Sequence, residues 1–355
     1  MIVYLVNIFL IVLFGIIFLG AKSSKRNKKI FCTLSTIQWV IISGLRHISI
    51  GADTLGYKVN RFDFTVYKTW GTIFEDFINI IFKGASGKDP GYTLFEKFVQ
   101  IFTTNYQIFL IVIALIFTIP FGIWVYKNSS EPCISFLIYS CLFYSFFSIT
   151  GHRQAIATAL AILIGYKFMK ERKIVLFLII IFLAYTIHKS AIVVLPFYFL
   201  CNKKITKKYL VLFGMFSVFV LVLGKVAYAP IARYLDYEIY LENTIGGIGM
   251  YAFLMILVMI IGLWRMPIVL ERNPDANRIY NAMFIGTLGT LMALQNQSFM
   301  RFQQYYTLFI MLLIPEIIYS FNKRDRKLVY YIGASLLILM FIKNDPQYLF
   351  FWQGW

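Results

Sequence analysis

Long apolar runs broken by short clusters of charged or turn-forming residues recur along the whole chain. They cover residues 2–19, 30–45, 108–126, 133–149, 155–168, 174–187, 210–223, 250–264, 280–294, 302–320 and 328–342. Most approach the roughly 20 apolar residues that carry a helix across a bilayer core of about 30 Å. A further run, 191–200, is too short alone; it either borrows flanking residues or enters as a broken helix whose backbone is satisfied inside the protein. The pattern predicts an all-α, polytopic integral membrane protein of about 12 transmembrane helices. A single transmembrane domain over residues 1–355 leaves no room for a separate soluble one.

One connection, residues 46–106, is far longer than the rest, and a loop of that length is expected to have structure of its own. Val66, Trp70, Ile73, Phe74, Phe77, Ile78 and Ile81 recur at helical spacing, opposite Lys68, Thr69, Thr72, Glu75, Asp76 and Asn79. After the turn signal Asp89-Pro90-Gly91, a second stretch puts Leu94, Phe95, Phe98, Val99 and Phe102 on one side. Both are expected to be interfacial helices lying flat on the outer leaflet.

Charge decides the orientation. The net charge of +18 would suit a nucleic-acid partner if the basic residues gathered on one soluble face, but they fall between the apolar runs. The connections at 22–29, 170–173, 203–208 and 323–327 carry them, and the positive-inside rule places all four in the cytoplasm. Both termini and the 46–106 loop are then external. The 60% hydrophobic content and mean hydropathy of +0.73 agree with lipid as the solvent, and no nucleic acid is expected. The first run has no basic segment before it and is followed by Lys22, Lys25, Arg26, Lys28 and Lys29 in place of a small-residue cleavage site, so it is expected to be a retained helix. Cys32, Cys133, Cys141 and Cys201 lack CxxC spacing and are expected to be packing residues.

Titratable residues are almost absent from the middle of the apolar runs and collect at one predicted surface. His47, His152 and His188 each stand beside a cation, Arg46, Arg153 and Lys189, at a predicted external helix end. Near Arg46 lie Gly51, Ala52, Asp53, Thr54 and Tyr57. There Arg46 is either a phosphate-binding fork with Asp53 as its orienting partner or a base, or a snorkelling arginine beside a turn aspartate. Thr150-Gly151-His152-Arg153-Gln154 leads into a small-residue face, Ala155, Ala157, Ala159, Ala161 and Gly165, which favours close helix packing and an anion-binding corner at Arg153. His188, with Lys189 and Ser190, is either a proton shuttle near neutral pH or a headgroup-level anchor. Arg301 sits among Gln295, Asn296, Gln297, Gln303, Gln304, Tyr305 and Tyr306, a set suited to sugar hydroxyls or to an interfacial belt.

These stretches together resemble the EpsG-like branch of Wzy-type polysaccharide polymerases. The resemblance rests on Arg46, Gly51-Ala52-Asp53-Thr54 with Tyr57, Asp89-Pro90-Gly91-Tyr92, Gly151-His152-Arg153-Gln154-Ala155, His188-Lys189-Ser190-Ala191 and Arg301, in order along most of the chain. It departs at Asp89, where similar sequences often carry Glu, and Asp89 is left out of the expected site. The resemblance implies a GT-C-like membrane glycosyltransferase. It would join undecaprenyl-diphosphate-linked oligosaccharide repeat units, donor and acceptor alike, on the external leaflet of a bacterial inner membrane, with a chain-length regulator as a further implied partner. Arg46, Arg153, Lys189 and Arg301 would stabilise the departing diphosphate; His188 or His152, with Arg153 and Asp53, would perform the catalysis; and Tyr57, Gln154, Gln304 and Tyr305 would face sugar. No metal and no cofactor are expected, since fixed arginines can take the part of a divalent ion.

Two other classes stay open. A ligase or a single-sugar transferase of the same membrane type would differ in product length. A transporter or flippase of the lipid-linked glycan would need polar groups at the bilayer midplane, where this chain has few.

Overall fold

The computed structural model describes residues 1–20, 24–234 and 249–354. Lys22, in the first basic connection, lies outside them. The described residues are helical, and their only β pairing is an isolated antiparallel bridge between Arg46 and Phe350. In chain order the helices are α1 (Ile2–Leu19), α2 (Lys25–Gly44), α3 (Thr54–Tyr57), α4 (Asp63–Tyr67), α5 (Trp70–Phe82), α6 (Pro90–Gln100), α7 (Tyr106–Asn128), α8 (Pro132–Ile138) and α9 (His152–Thr158). There follow α10 (Gly165–Lys170), α11 (Ile174–Ile187), α12 (Phe197–Cys201), α13 (Lys207–Tyr234), α14 (Gly249–Arg272), α15 (Ala276–Ala293), α16 (Met300–Thr307), α17 (Ile310–Tyr319) and α18 (Lys323–Lys343).

Several predicted runs coincide with these helices: 2–19 is α1, and 174–187 is α11. α2 starts earlier than its apolar run because Ser24 caps it, its hydroxyl accepting the Asn27 amide at 3.1 Å. Among the described residues three helices, α1, α7 and α14, are both long and apolar enough to cross a membrane alone. Other apolar runs are interrupted. The run at 133–149 is α8 followed by π-helical stretches at Tyr139–Phe143 and Ser145–Thr150, and 155–168 contains another at Ala159–Ile164. The short run at 191–200 is a broken helix, a 3-10 stretch at Lys189–Val194 followed by α12. Hydropathy counts apolar residues and does not register these changes of winding.

Helix contacts divide the chain into two compact units. The first comprises residues 1–166, 178–189 and 331–355. In it α2 and α7 pack along their lengths, and α7 is the floor of a hydrophobic cluster that includes Phe62, Tyr92, Tyr106, Phe109 and Ile156. This cluster fixes α6 and the start of α9 against the same helix. The 46–106 segment holds α3 to α6. α5 is an amphipathic helix capped by Thr69, whose hydroxyl accepts the Thr72 amide at 3.2 Å; it buries Ile73 and leaves Phe74, Ile78 and Phe82 exposed. On α6 and just beyond it the apolar side is split between an inner and an outer part. Tyr92, Glu96 and Val99 turn inward, whereas Phe98 and Phe102 are exposed. The pattern tracks hydrophobicity, which a membrane-facing side satisfies as well as a protein core does.

The second unit comprises residues 167–177 and 190–330. Its central helix is α15, against which α13, α14 and α16 pack. Asn281 on α15 donates to the Leu200 and Lys203 carbonyls at 2.8 and 2.7 Å, tying down the end of α12. The Thr290 hydroxyl donates to Gln303 Oε1 at 2.5 Å. Buried Glu316 on α17 pairs with Arg272 of α14 and accepts from Asn273 at 3.1 Å.

Candidate active site

The first unit gathers polar side chains from three distant stretches around the start of α6. Asp89 precedes Pro90, the first residue of α6, and its own backbone is left-handed, with φ of 54°. Aspartate tolerates this conformation better than most residues, and a persistent non-glycine outlier points to a position held for function. Gly91 makes the approach possible: a Cβ there would run into the side chain of Thr186 near the end of α11. That close contact sets Asp89 against the two residues that follow α11. Asp89 Oδ2 lies 3.4 Å from His188 Nδ1, and Asp89 Oδ1 accepts the Lys189 backbone amide at 3.2 Å.

The same carboxylate forms an ion pair with Arg153 through Nη1, and Arg153 Nε donates to the Tyr57 hydroxyl at 3.1 Å. Tyr57 in turn stacks on the His152 ring, with centroids 4.6 Å apart and planes 16° from parallel. Behind His152 lies Arg46, whose Nη2 is 2.7 Å from His152 Nε2 and whose Nη1 donates to the Ser43 carbonyl. A guanidinium only donates, so His152 Nε2 accepts and carries no proton. The order is therefore Arg46, His152, Tyr57, Arg153, Asp89, His188.

Burial grades this row. Arg46 is 1% exposed, and the Asp89 and His188 side chains are 5% and 9% exposed, whereas Arg153 keeps 24% of its side chain open. Burial alone would raise the Asp89 carboxyl. The hydrogen bond and charge of His188, the Arg153 guanidinium and the Lys189 amide outweigh it, and the group is held below the usual carboxylate range. Asp89 is thus an anion that orients an imidazole on one side and a guanidinium on the other.

The expected site residues divide as follows. Arg46, Tyr57, His152, Arg153 and His188 belong to this row, with the Lys189 backbone beside it; Gln154 is buried at the start of α9. Asp53 is exposed at the start of α3, and its side chain does not cap that helix. The segment around it is a turn: Gly51 has φ of 99°, the Thr54 hydroxyl donates to Ile50 O at 2.8 Å, and Tyr106 donates to Thr54 O at 2.9 Å, which delivers Tyr57 to His152. His47 Nδ1 bonds its own turn, 2.8 Å from Ser49 Oγ. Arg301, Gln304 and Tyr305 are in the second unit, where Arg301 is half-buried, Gln304 is buried and the Tyr305 hydroxyl is 3.0 Å from Ser190 Oγ.

Asp89 is the central residue that sequence reasoning left out, because similar sequences often carry Glu at its position. A second omission is Arg61 with Glu96. Arg61 donates to the Thr93 hydroxyl at 2.9 Å, lies over the Tyr92 ring at 5.2 Å and sits 3.9 Å from the carboxylate of buried Glu96. One signal was available for both: three external histidine–cation pairs need counter-charge, and six of the sixteen acids in the sequence lie in the 46–106 segment.

Among the described residues the first unit thus assembles a carboxylate, an imidazole and a partly open arginine beside an amphipathic segment. The chain belongs to the EpsG family, whose model matches residues 29–350, nearly its full length. It is a membrane protein of polysaccharide synthesis. Comparison with curated proteins and with solved structures gave no match.

Proposed function

We propose that this protein is a repeat-unit polymerase that transfers a growing glycan from undecaprenyl diphosphate to a hydroxyl of an incoming lipid-linked oligosaccharide. The acceptor oxygen bonds to the anomeric carbon of the donor, and the bond from that carbon to the diphosphate oxygen breaks. The hydroxyl proton goes to a base, and the electron pair leaves with the diphosphate.

The observation that carries this reading is the shared Asp89 carboxylate. With Asp89 on its Nδ1 side, His188 is oriented and its cation is stabilised after it accepts the acceptor proton. Arg153 is the cation with open surface, fixed in direction by Tyr57 and Asp89, and it meets the charge that develops on the leaving diphosphate. Of the two histidines, His152 has its Nε2 taken by Arg46 and its face covered by Tyr57, so it serves as a positioning residue, as does Arg46. Lys189 adds positive charge to the diphosphate. Tyr57 and Gln154 contact sugar. The reading includes about 12 crossings in a GT-C-like arrangement, the site on the external leaflet of the inner membrane and both termini outside.

Purified protein given its lipid-linked repeat unit in liposomes should produce a ladder of products spaced by one repeat. A single product extended by one sugar, or transfer to an unrelated acceptor, would replace the polymerase reading with a transferase or a ligase.

A further inference from the structure

Beside the row described above, the first unit contains a cleft of about 370 Å³ that the activity as proposed does not use. Its walls come from the π-helical turn Lys58–Phe62, α4, α5, the loop before α6 and the first turn of α6. Lys88 and Pro90, which line it, are the chain neighbours of Asp89. The cleft therefore reaches the backbone on both sides of Asp89, whose buried side chain is not part of its lining.

Its lining has a definite chemistry. Asn60, Arg61, Ser86, Lys88 and Thr93 supply amide, guanidinium, hydroxyl and ammonium groups, while Phe64, 63% exposed, offers a flat ring. Lys68 and Asp76 also line the cleft, paired with each other at 2.9 Å. The volume lies in the range of roughly 300–1,000 Å³ typical of small-molecule sites. A lipid tail would find too many uncompensated polar groups here. A sugar, with one C–H face and a rim of hydroxyls that both donate and accept, matches an exposed ring among mixed donors and acceptors.

We propose that this cleft is a saccharide subsite, which holds a sugar of the lipid-linked substrate next to Asp89. The inference rests on the polymerase reading for the identity of the sugar-bearing molecule. Arg61 is its central contact: the Thr93 hydroxyl and the Tyr92 ring fix its guanidinium, so its direction is set before a ligand arrives.

The test uses the full chain in nanodiscs. The probe is the lipid-free repeat-unit oligosaccharide released by mild acid from the lipid-linked material of a polymerase-deleted strain. Saturation-transfer NMR reads its binding, and size-exclusion chromatography confirms folding. The wild type should bind it. Asn60→Trp and Ser86→Trp, both at exposed positions, should each weaken binding by an order of magnitude or more, and Arg153→Ala should retain it. Equal binding by the wild type and both tryptophan variants, no binding by the wild type, or displacement of the probe by inorganic phosphate would overturn the subsite. A product ladder without probe binding leaves the polymerase reading standing and removes the subsite. Cleft-dependent binding with no ladder does the reverse.

Discussion

His188 and Asp89 are 99 positions apart in sequence, yet Nδ1 of one lies 3.4 Å from Oδ2 of the other, and the contact depends on the closeness of Gly91 to Thr186. The carboxylate is shared with Arg153, so a change at Asp89 disturbs both an imidazole and a guanidinium.

Asp89→Asn keeps the shape and removes the charge. Chain extension should fall by roughly 100-fold or more, the scale of losing an oriented proton-transfer group. Extension is measured as the ladder formed in cells, with membrane protein levels quantified in parallel; unchanged ladders at normal levels would remove Asp89 from the site.

Arg153→Lys preserves a positive charge but cannot engage Tyr57 and Asp89 through a planar fork. A loss on the order of 100-fold in turnover is expected, comparable to deleting one preorganised donor at a developing anion. Tyr57→Phe, which leaves the ring on His152, should be much milder. Steady-state rates in liposomes compare the two, and equal effects would contradict the assigned division of labour.

Arg46→Ala should act on the fold as well as on rate. Removing a buried guanidinium that bonds the Ser43 carbonyl and His152 leaves both without that donor, at a cost of about 3 kcal/mol. Unfolding in mixed micelles measures this, and a stability equal to wild type would show that the contact is dispensable.

Glu96 gives the stability a pH dependence. Burial pushes its carboxyl up to about 7, only partly opposed by Arg61 and the Thr65 hydroxyl. Its folded value lies above its unfolded one, so the folded protein binds more protons in between. Its contribution is favourable below the unfolded value of 4.5 and is lost as pH rises towards about 7, with no further change above. Asp89 works in the opposite sense: its depressed value contributes stability above the ordinary aspartate range, and this is lost as pH falls through the folded value. Glu96→Gln should therefore flatten the fall in melting temperature between pH 5 and about 7 that the wild type shows. A wild type whose melting temperature rises over that interval, with the same rise in the variant, would contradict the assignment.

Chelation offers an independent check. If Arg153 and its neighbours supply the charge that stabilises the diphosphate, extension in liposomes should persist after treatment with EDTA. Loss on chelation with recovery on adding a divalent ion would reassign that role.

The sequence revealed helices whose apolar runs are continuous, such as α1 and α11, and the amphipathic character of α5. It did not reveal the π-helical stretches before Gly151 and after Thr158, because a change in winding leaves composition unaltered. Among site residues, cations beside histidines stood out since ionisable groups are costly near lipid. Asp89 did not, because its role arises from a left-handed backbone and a close interhelix approach, neither of which has a local signature beyond a turn. Asp53 shows the converse: a carboxylate in a matching motif, placed outward by a turn whose buried partner is Thr54.

The bridge between Arg46 and Phe350 has a consequence for biogenesis. The His47 amide donates to Leu349 O at 2.8 Å, the Phe351 amide to Leu45 O at 2.9 Å, and the Tyr348 hydroxyl to Ile42 O at 2.9 Å across 306 positions. The backbone that aims Arg46 at His152 is thus completed by a segment that leaves the ribosome long after α2 has been inserted. A nascent chain stalled before that point would lack the pairing that completes the backbone around Arg46, so the contact between Arg46 and His152 can be set only once synthesis has passed it.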